Sequence, residues 1–227
     1  MTSDEDKRPA GYASPPCFMH EVDPAPDATD PQQRLDVMRW RKAERERLIQ
    51  ARLETPAGRR RMYGERIAAY LEEIIGEVAG ATVSAYWPFR GEPDLRPLLE
   101  RISRKGGRTA LPVVVQRGAP LVFRAWTQGD ALEKGIWNIP VPPPSALEVT
   151  PNVVIAPVVG FDPACYRLGY GGGFFDRTLA VLPKRPRVVG VGYSVAAIPT
   201  IYPQRHDIAL DVVVTEEGVH LPSEVSI

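Results

Sequence analysis

A chain of 227 residues can bury one sizeable core, so it reads as one domain with a tail rather than as two domains. Its 28 basic and 28 acidic residues cancel, which gives no chain-wide attraction for nucleic acid or for an anionic membrane, and no obligate protein partner is evident. Two cysteines, Cys17 and Cys165, are too few for a disulfide scaffold; with no apolar run of transmembrane length and no signal-peptide core, the expected location is cytoplasmic.

Proline is the compositional outlier, 24 of 227 residues, about twice the usual share of roughly 5%. Residues 1–34 carry six of them among acidic residues and few large apolar ones, which predicts an N-terminal extension that is disordered or docks on the rest, with one domain over 35–227. Docking is favoured by Phe18 and Met19, an apolar pair beside Pro15 and Pro16. Cys17 and His20 form a Cys-x-x-His half-site with no second pair at zinc spacing, so a metal is not expected there.

Periodicity then alternates. Residues 33–54 predict a strongly basic helix, and 58–78 an amphipathic one with Ile67, Tyr70, Leu71, Ile74 and Ile75 on one face. Short apolar runs at 81–87, 109–115, 121–126, 152–159, 187–193 and 209–215 predict strands. Several, such as Val153-Val154-Ile155 and Val212-Val213-Val214, are continuous rather than alternating, as in strands covered on both faces. Helical segments near 93–105 and 172–182 separate some of them. The order implies an α/β sandwich whose mostly parallel central sheet offers ligands the carboxyl ends of its strands.

The stretch Arg167-Leu168-Gly169-Tyr170-Gly171-Gly172-Gly173-Phe174-Phe175-Asp176-Arg177 carries most of the chemical information. Four glycines between a predicted strand and a predicted helix open main-chain N–H groups to a polyphosphate, and the helix N-terminus adds unsatisfied donors and a positive dipole end. Asp176, one turn in, offers a carboxylate for the Mg²⁺ that accompanies a nucleotide. Neither the P-loop nor the dinucleotide fingerprint fits: no Gly-x-x-x-x-Gly-Lys run occurs, and Phe174 falls where the third fingerprint glycine belongs. Read from its glycines alone, the segment also suits a turn that only reverses the chain.

This stretch resembles the signature of the 5-formyltetrahydrofolate cyclo-ligases, also called methenyltetrahydrofolate synthetases. Arg41-Lys42-Ala43-Glu44-Arg45, Tyr86-Trp87-Pro88-Phe89-Arg90-Gly91-Glu92, Trp137-Asn138-Ile139-Pro140, and His206-Asp207 with Asp211-Val212-Val213-Val214-Thr215 resemble other segments of that family, in the same order. The resemblance spans about residues 35–220. It implies a three-layer αβα sandwich of the NagB/RpiA/CoA-transferase-like kind. It also implies an activity: ATP phosphorylates the formyl oxygen of 5-formyltetrahydrofolate, N10 attacks the activated carbon, and 5,10-methenyltetrahydrofolate forms as phosphate leaves.

On that resemblance ATP is expected at Arg41, Arg45, Arg167, Leu168, Gly169, Tyr170, Gly171, Gly172, Gly173, Phe174 and Phe175, and Mg²⁺ at Asp176 and Asp207, with Arg167 and Asp176 in the catalytic roles. The folate is expected at Trp87, Glu92 and Trp137, with Tyr170, Gly171, Gly172, Gly173 and Phe174. A carboxylate suits the amide-and-amine edge of a pterin, and an aromatic ring its flat face. Arg177 reads as a surface or salt-bridging residue, Asp211 as a pin for the final turn, His206 as exposed or orienting, and Trp40 and Trp126 as packing. Phe175 stands where the family usually has Tyr, and Val141 where it often has Glu. These departures keep open an ATP-dependent paralogue acting on another pterin-like or heterocyclic substrate, and a non-catalytic folate- or nucleotide-binding protein.

Overall fold

The structure, a computed structural model, describes residues 31–223. The Cys17–His20 segment lies outside them. Helix α1 (Pro31–Glu54) begins inside the expected extension, so residues 31–34 are its first turn. In chain order there follow α2 (Ala57–Ile75), β1 (Thr82–Ser84), α3 (Arg96–Arg104), β2 (Arg108–Val113), β3 (Val122–Ala125), β4 (Glu133–Lys134), β5 (Pro140–Val141) and β6 (Val153–Pro157). The chain continues through β7 (Gly160–Phe161), β8 (Arg167–Leu168), α4 (Phe174–Val181), β9 (Arg187–Val191), β10 (Val212–Thr215) and β11 (Gly218–His220).

Seven strands form one sheet in the order β11-β10-β9-β6-β1-β2-β3. The inner five are mutually parallel, and the antiparallel edges β3 and β11 close the two sides. The continuous valine runs have the expected reason. Val153, Ile155, Val189, Val191, Val212 and Val214 face a core built with Ile67 and Leu71 of α2 and Leu98, Leu99 and Ile102 of α3. The intervening Val154, Val188 and Val213 face a second core with Leu179 of α4, Phe161, Cys165 and Leu210. Period-2 side chains thus need apolar partners on both faces, which makes the molecule a three-layer αβα sandwich.

A third, smaller cluster sets the position of α1: Leu48 packs on Val159, Leu168, Ile198 and Ile201. The other buried residues of α1 are Arg41, Arg45 and Arg52, spaced with Leu48 at i, i+4, i+7 and i+11, so the inward stripe of this helix is three arginines and one leucine. The strand order reverses between β1 and β6, which are neighbours although their outgoing connections diverge. In open α/β sheets such a reversal opens a crevice at the carboxyl ends of the two strands. Here the segment after β1 carries Glu92, and the segment after β6 runs through the β7–β8 hairpin into the glycine loop.

Candidate active site

The loop leaving β1 turns tightly at Phe89–Glu92. Glu92 N–H donates to Phe89 O across 3.2 Å, and the two central residues, Arg90 and Gly91, both have positive φ, 47° and 76°. Glu92 Oε2 caps this turn by accepting from Phe89 N–H at 2.8 Å. The carboxylate is buried, and that burial pushes its pKa up to about 7 against the downward pull of Arg52, the Tyr170 hydroxyl and the Phe89 N–H.

The glycine loop enters from the β7–β8 hairpin, whose tight turn is held by Asp162: Oδ1 accepts from Ala164 and Tyr166 N–H, and Oδ2 from Ile201 N–H. Gly171 and Gly173 have φ of 94° and 60°, conformations that a side chain at either position would strain. Because Gly173 is left-handed, α4 starts at Phe174 rather than near Gly172 as its sequence suggested. Thr178 anchors the helix by donating to Phe174 O at 2.6 Å and accepting from Leu121 N–H at 2.7 Å.

Charged side chains converge on this loop. Arg45 Nε donates to Gly169 O at 2.7 Å. Arg167 Nη2 meets Asp176 Oδ2 at 2.5 Å while its guanidinium lies 5.1 Å from the centre of the Phe175 ring. Asp176 Oδ1 also accepts from Ile208 N–H at 3.3 Å, which brings it to the segment bearing Asp207. Tyr170 turns its hydroxyl inward and donates to Glu92 Oε1 at 2.8 Å, so the acid after β1 and the loop after β8 form one site across the crevice. The Trp137 ring meets Phe174 edge-on with centroids 6.0 Å apart, and Trp137 and Asn138 both hold φ of 58°. Consecutive non-glycine residues in that region are uncommon and collect at ligand sites.

The remaining expected contact residues have protein partners of their own. Arg41 shares a helix face with Arg45 but sits one turn back, and there it holds the 201–207 segment: Nε to Ile201 O at 2.9 Å, Nη2 to Tyr202 O at 2.8 Å and to Asp207 Oδ2 at 2.5 Å. Asp207 Oδ2 accepts in addition from Gln204 N–H at 2.6 Å. Leu168 packs in the α1 cluster with its carbonyl taken by Val159 N–H at 2.9 Å. Trp87 stacks edge-on to buried Trp126 at 5.7 Å, with the Arg96 guanidinium 4.9 Å above its ring. Arg177 is not a free surface residue: it folds back to donate to Gly172 O and covers Phe174 at 5.3 Å. Asp211 pins the β9–β10 segment by accepting from Val188 N–H at 2.7 Å, as its position suggested.

Sequence reasoning missed Arg52, which is 4% exposed and donates from Nη2 to Tyr170 Oη at 2.7 Å. The signal was present in the 41, 45, 48, 52 stripe, which would have been found by following arginine instead of leucine. The Nε atoms of Arg52, Arg167 and Arg177 are buried donors with no hydrogen-bond acceptor among the described residues. Buried donors without acceptors are uncommon in folded proteins, and three around one loop mark a place suited to an acceptor-rich ligand.

A sequence profile described as the 5-formyltetrahydrofolate cyclo-ligase family matches residues 37–216. The chain belongs to that family. The 5-formyltetrahydrofolate cyclo-ligase of Escherichia coli K12 is 32% identical over 171 residues, covering 73% of this chain and 93% of its own length. That of Mycolicibacterium smegmatis is 31% identical over 176 residues, covering 74% and 89%. Among solved structures, the 5,10-methenyltetrahydrofolate synthetase of Aquifex aeolicus superposes with a TM-score of 0.69 at 26% identity, over 82% of this chain and 95% of that one. The Mycoplasma pneumoniae synthetase, at 19% identity and a TM-score of 0.64 over 78% and 98%, shares the fold. The matched region of this cyclo-ligase family member takes in Arg41, Arg45, Arg52, Glu92, Trp137, the glycine loop and Asp207.

Proposed function

We propose that this protein converts 5-formyltetrahydrofolate to 5,10-methenyltetrahydrofolate, with ATP converted to ADP and phosphate. The observation that carries the reading is the Tyr170–Glu92 hydrogen bond of 2.8 Å, because it joins a carboxylate suited to a pterin edge with a loop suited to phosphates. The reaction needs the terminal phosphoryl group and the formyl oxygen side by side, and this crevice offers both partners one shared wall. Glu92 receives the pterin, Trp137 and Phe174 flank its ring, and Tyr170 borders both ligands.

Arg45, Arg167 and the N–H groups of the glycine loop receive the polyphosphate. In the first step the formyl oxygen takes the phosphoryl group and ADP leaves. In the second, the N10 lone pair forms a bond to the formyl carbon, the C–O bond breaks, phosphate departs and the N10 proton passes to solvent. Neither step requires a protein nucleophile; the residues here act by positioning and by neutralising charge.

No group of three or more His, Cys, Asp and Glu side chains is arranged for a metal among the described residues. Two carboxylates nevertheless suit Mg²⁺, which retains water and phosphate oxygens and takes few ligands from protein. Asp176 accepts from the N–H of Ile208, the residue after Asp207, and these two carboxylates would hold the ion, which would supply charge neutralisation on the phosphates.

The test is incubation of the purified full chain with 5-formyltetrahydrofolate, ATP and Mg²⁺ under a spectroscopic readout for methenyltetrahydrofolate. Product formation that requires both ATP and Mg²⁺ is the expected result. ATP turnover driven only by other heterocycles would favour a paralogue, and tight folate binding without turnover a binding protein.

A further inference from the structure

Helix α1 reaches Glu92 through an intermediary. Arg52 Nη2 donates to Tyr170 Oη at 2.7 Å, Tyr170 Oη donates to Glu92 Oε1 at 2.8 Å, and Arg52 Nη1 stands 3.9 Å from that same Oε1. The Arg52 guanidinium also lies 5.8 Å from the centre of the Tyr170 ring. Arg52 and Glu92 are buried, whereas Tyr170 is 37% exposed, with its hydroxyl bonded to both and its ring tilted against Phe89 at 6.0 Å. A partly exposed ring on a glycine-rich loop has rotational freedom unless its hydroxyl is fixed, and a phenol hydroxyl has one proton to give. By donating to the oxygen of Tyr170, Arg52 leaves that proton pointing at Glu92.

We propose that Arg52 is a positioning residue for folate: acting through the Tyr170 hydroxyl, it fixes the Glu92 carboxylate in the orientation that receives the pterin edge. The proposal rests on the folate reading of Glu92. Oε2 is directed by Phe89 N–H and Oε1 by Tyr170, so the carboxylate is held at both oxygens and retains acceptor capacity for a ligand. Without Arg52 the hydroxyl loses its donor, and the second hold on Glu92 becomes one of several rotamers. Arg52 also lowers the cost of keeping Glu92 ionised inside the protein. The other titratable groups that act on Glu92 or are acted on by it are Tyr86, Tyr170 and Tyr193, each with its hydroxyl pKa raised by burial and by the Glu92 charge.

The test uses the full chain with Arg52→Gln, Arg52→Lys, Tyr170→Phe and the Arg52→Gln/Tyr170→Phe pair. Dissociation constants for 5-formyltetrahydrofolate and for MgATP are measured separately by fluorescence titration. Ionisation of Glu92 is followed by carboxyl carbon NMR across pH. Arg52→Gln is expected to weaken folate about tenfold or more while ATP affinity changes less than twofold, and to move the Glu92 titration to higher pH. Tyr170→Phe should weaken folate in the same direction, the pair should be no worse than Arg52→Gln alone, and Arg52→Lys should restore part of the loss.

Unchanged folate affinity in Arg52→Gln, equal losses for folate and ATP, or additive losses in the pair would overturn the proposal. If Arg52→Gln does not fold, Tyr170→Phe decides, because normal folate affinity there removes the intermediary. A wild-type protein that neither binds nor turns over folate, while the Glu92 titration still moves in Arg52→Gln, would reject the folate reading and this role of Arg52 with it, leaving only the ionic coupling. Wild-type turnover with an indifferent Arg52→Gln rejects this proposal alone.

Discussion

Arg167 Nη2 lies 2.5 Å from Asp176 Oδ2, so the arginine that enters the glycine loop and the aspartate that leaves it face each other across its base. The pair is nearly enclosed, with side-chain exposures of 6% and 15%. Each partner neutralises the other where an isolated charge would be costly. In the proposed reaction each has a second partner of the same sign, phosphate for Arg167 and Mg²⁺ for Asp176. Nucleotide entry then exchanges one set of ion pairs for another and leaves no charge bare.

Asp176→Asn tests the metal half of that exchange. The substitution keeps side-chain size and an oxygen for Ile208 N–H but leaves the nearly enclosed Arg167 without its counter-charge, so the stability loss should be roughly 3–5 kcal/mol. Turnover should fall about a hundredfold or more, and added Mg²⁺ should not recover it. Near-normal rates across a Mg²⁺ titration would remove Asp176 from this role.

Arg167→Ala should raise the KM for ATP by about tenfold or more, with a much smaller effect on the KM for 5-formyltetrahydrofolate. Its Nε has no acceptor among the described residues and its Nη2 is shared with Asp176, so phosphate is the ligand best matched to the donors that remain. A larger effect on folate than on ATP would transfer the residue to the other ligand.

Where the sequence was legible, the reason is packing. Val153, Val154 and Ile155 point alternately into two apolar cores, and only a strand covered on both faces makes such a run favourable. The glycine loop was legible because left-handed backbone at Gly171 and Gly173 leaves a residue-type signature. The β7–β8 hairpin was not, since its strands are two residues each and its turn depends on one Asp162 side chain rather than on periodicity. The Arg52 contact was hidden for a different reason. A buried arginine stripe and a solvated basic face have the same spacing, and only the carbonyls and carboxylates opposite them distinguish the two.

Arg41 is the case in point, and it yields a stability prediction. It is 7% exposed and its guanidinium meets Ile201 O, Tyr202 O and the Asp207 carboxylate. Arg41→Ala leaves the Asp207 carboxylate, 10% exposed, with its ion pair removed, a loss of roughly 3 kcal/mol. Urea denaturation should show it as a lower midpoint with an unchanged slope. A loss below about 1 kcal/mol, the size expected of a surface pair, would return Arg41 to the solvated face.

Glu92 supplies the pH dependence. Its carboxyl titrates near 7 in the folded protein instead of the ordinary 4.5, so between those values the folded state holds a proton that the unfolded chain has released. Stability attributable to this group is therefore highest below about pH 4.5, declines as pH rises, and levels off above about pH 7, a total on the order of 3 kcal/mol. Asp94 acts in the opposite sense, because Arg96 and its N–H hold that carboxyl below the usual range, but its window lies at more acid pH. Glu92→Gln cannot titrate, so the difference in unfolding free energy between wild type and this variant isolates the slope. From pH 5 to 7 the wild type should lose stability relative to Glu92→Gln, and parallel curves over that range would mean that Glu92 titrates as an ordinary solvated acid.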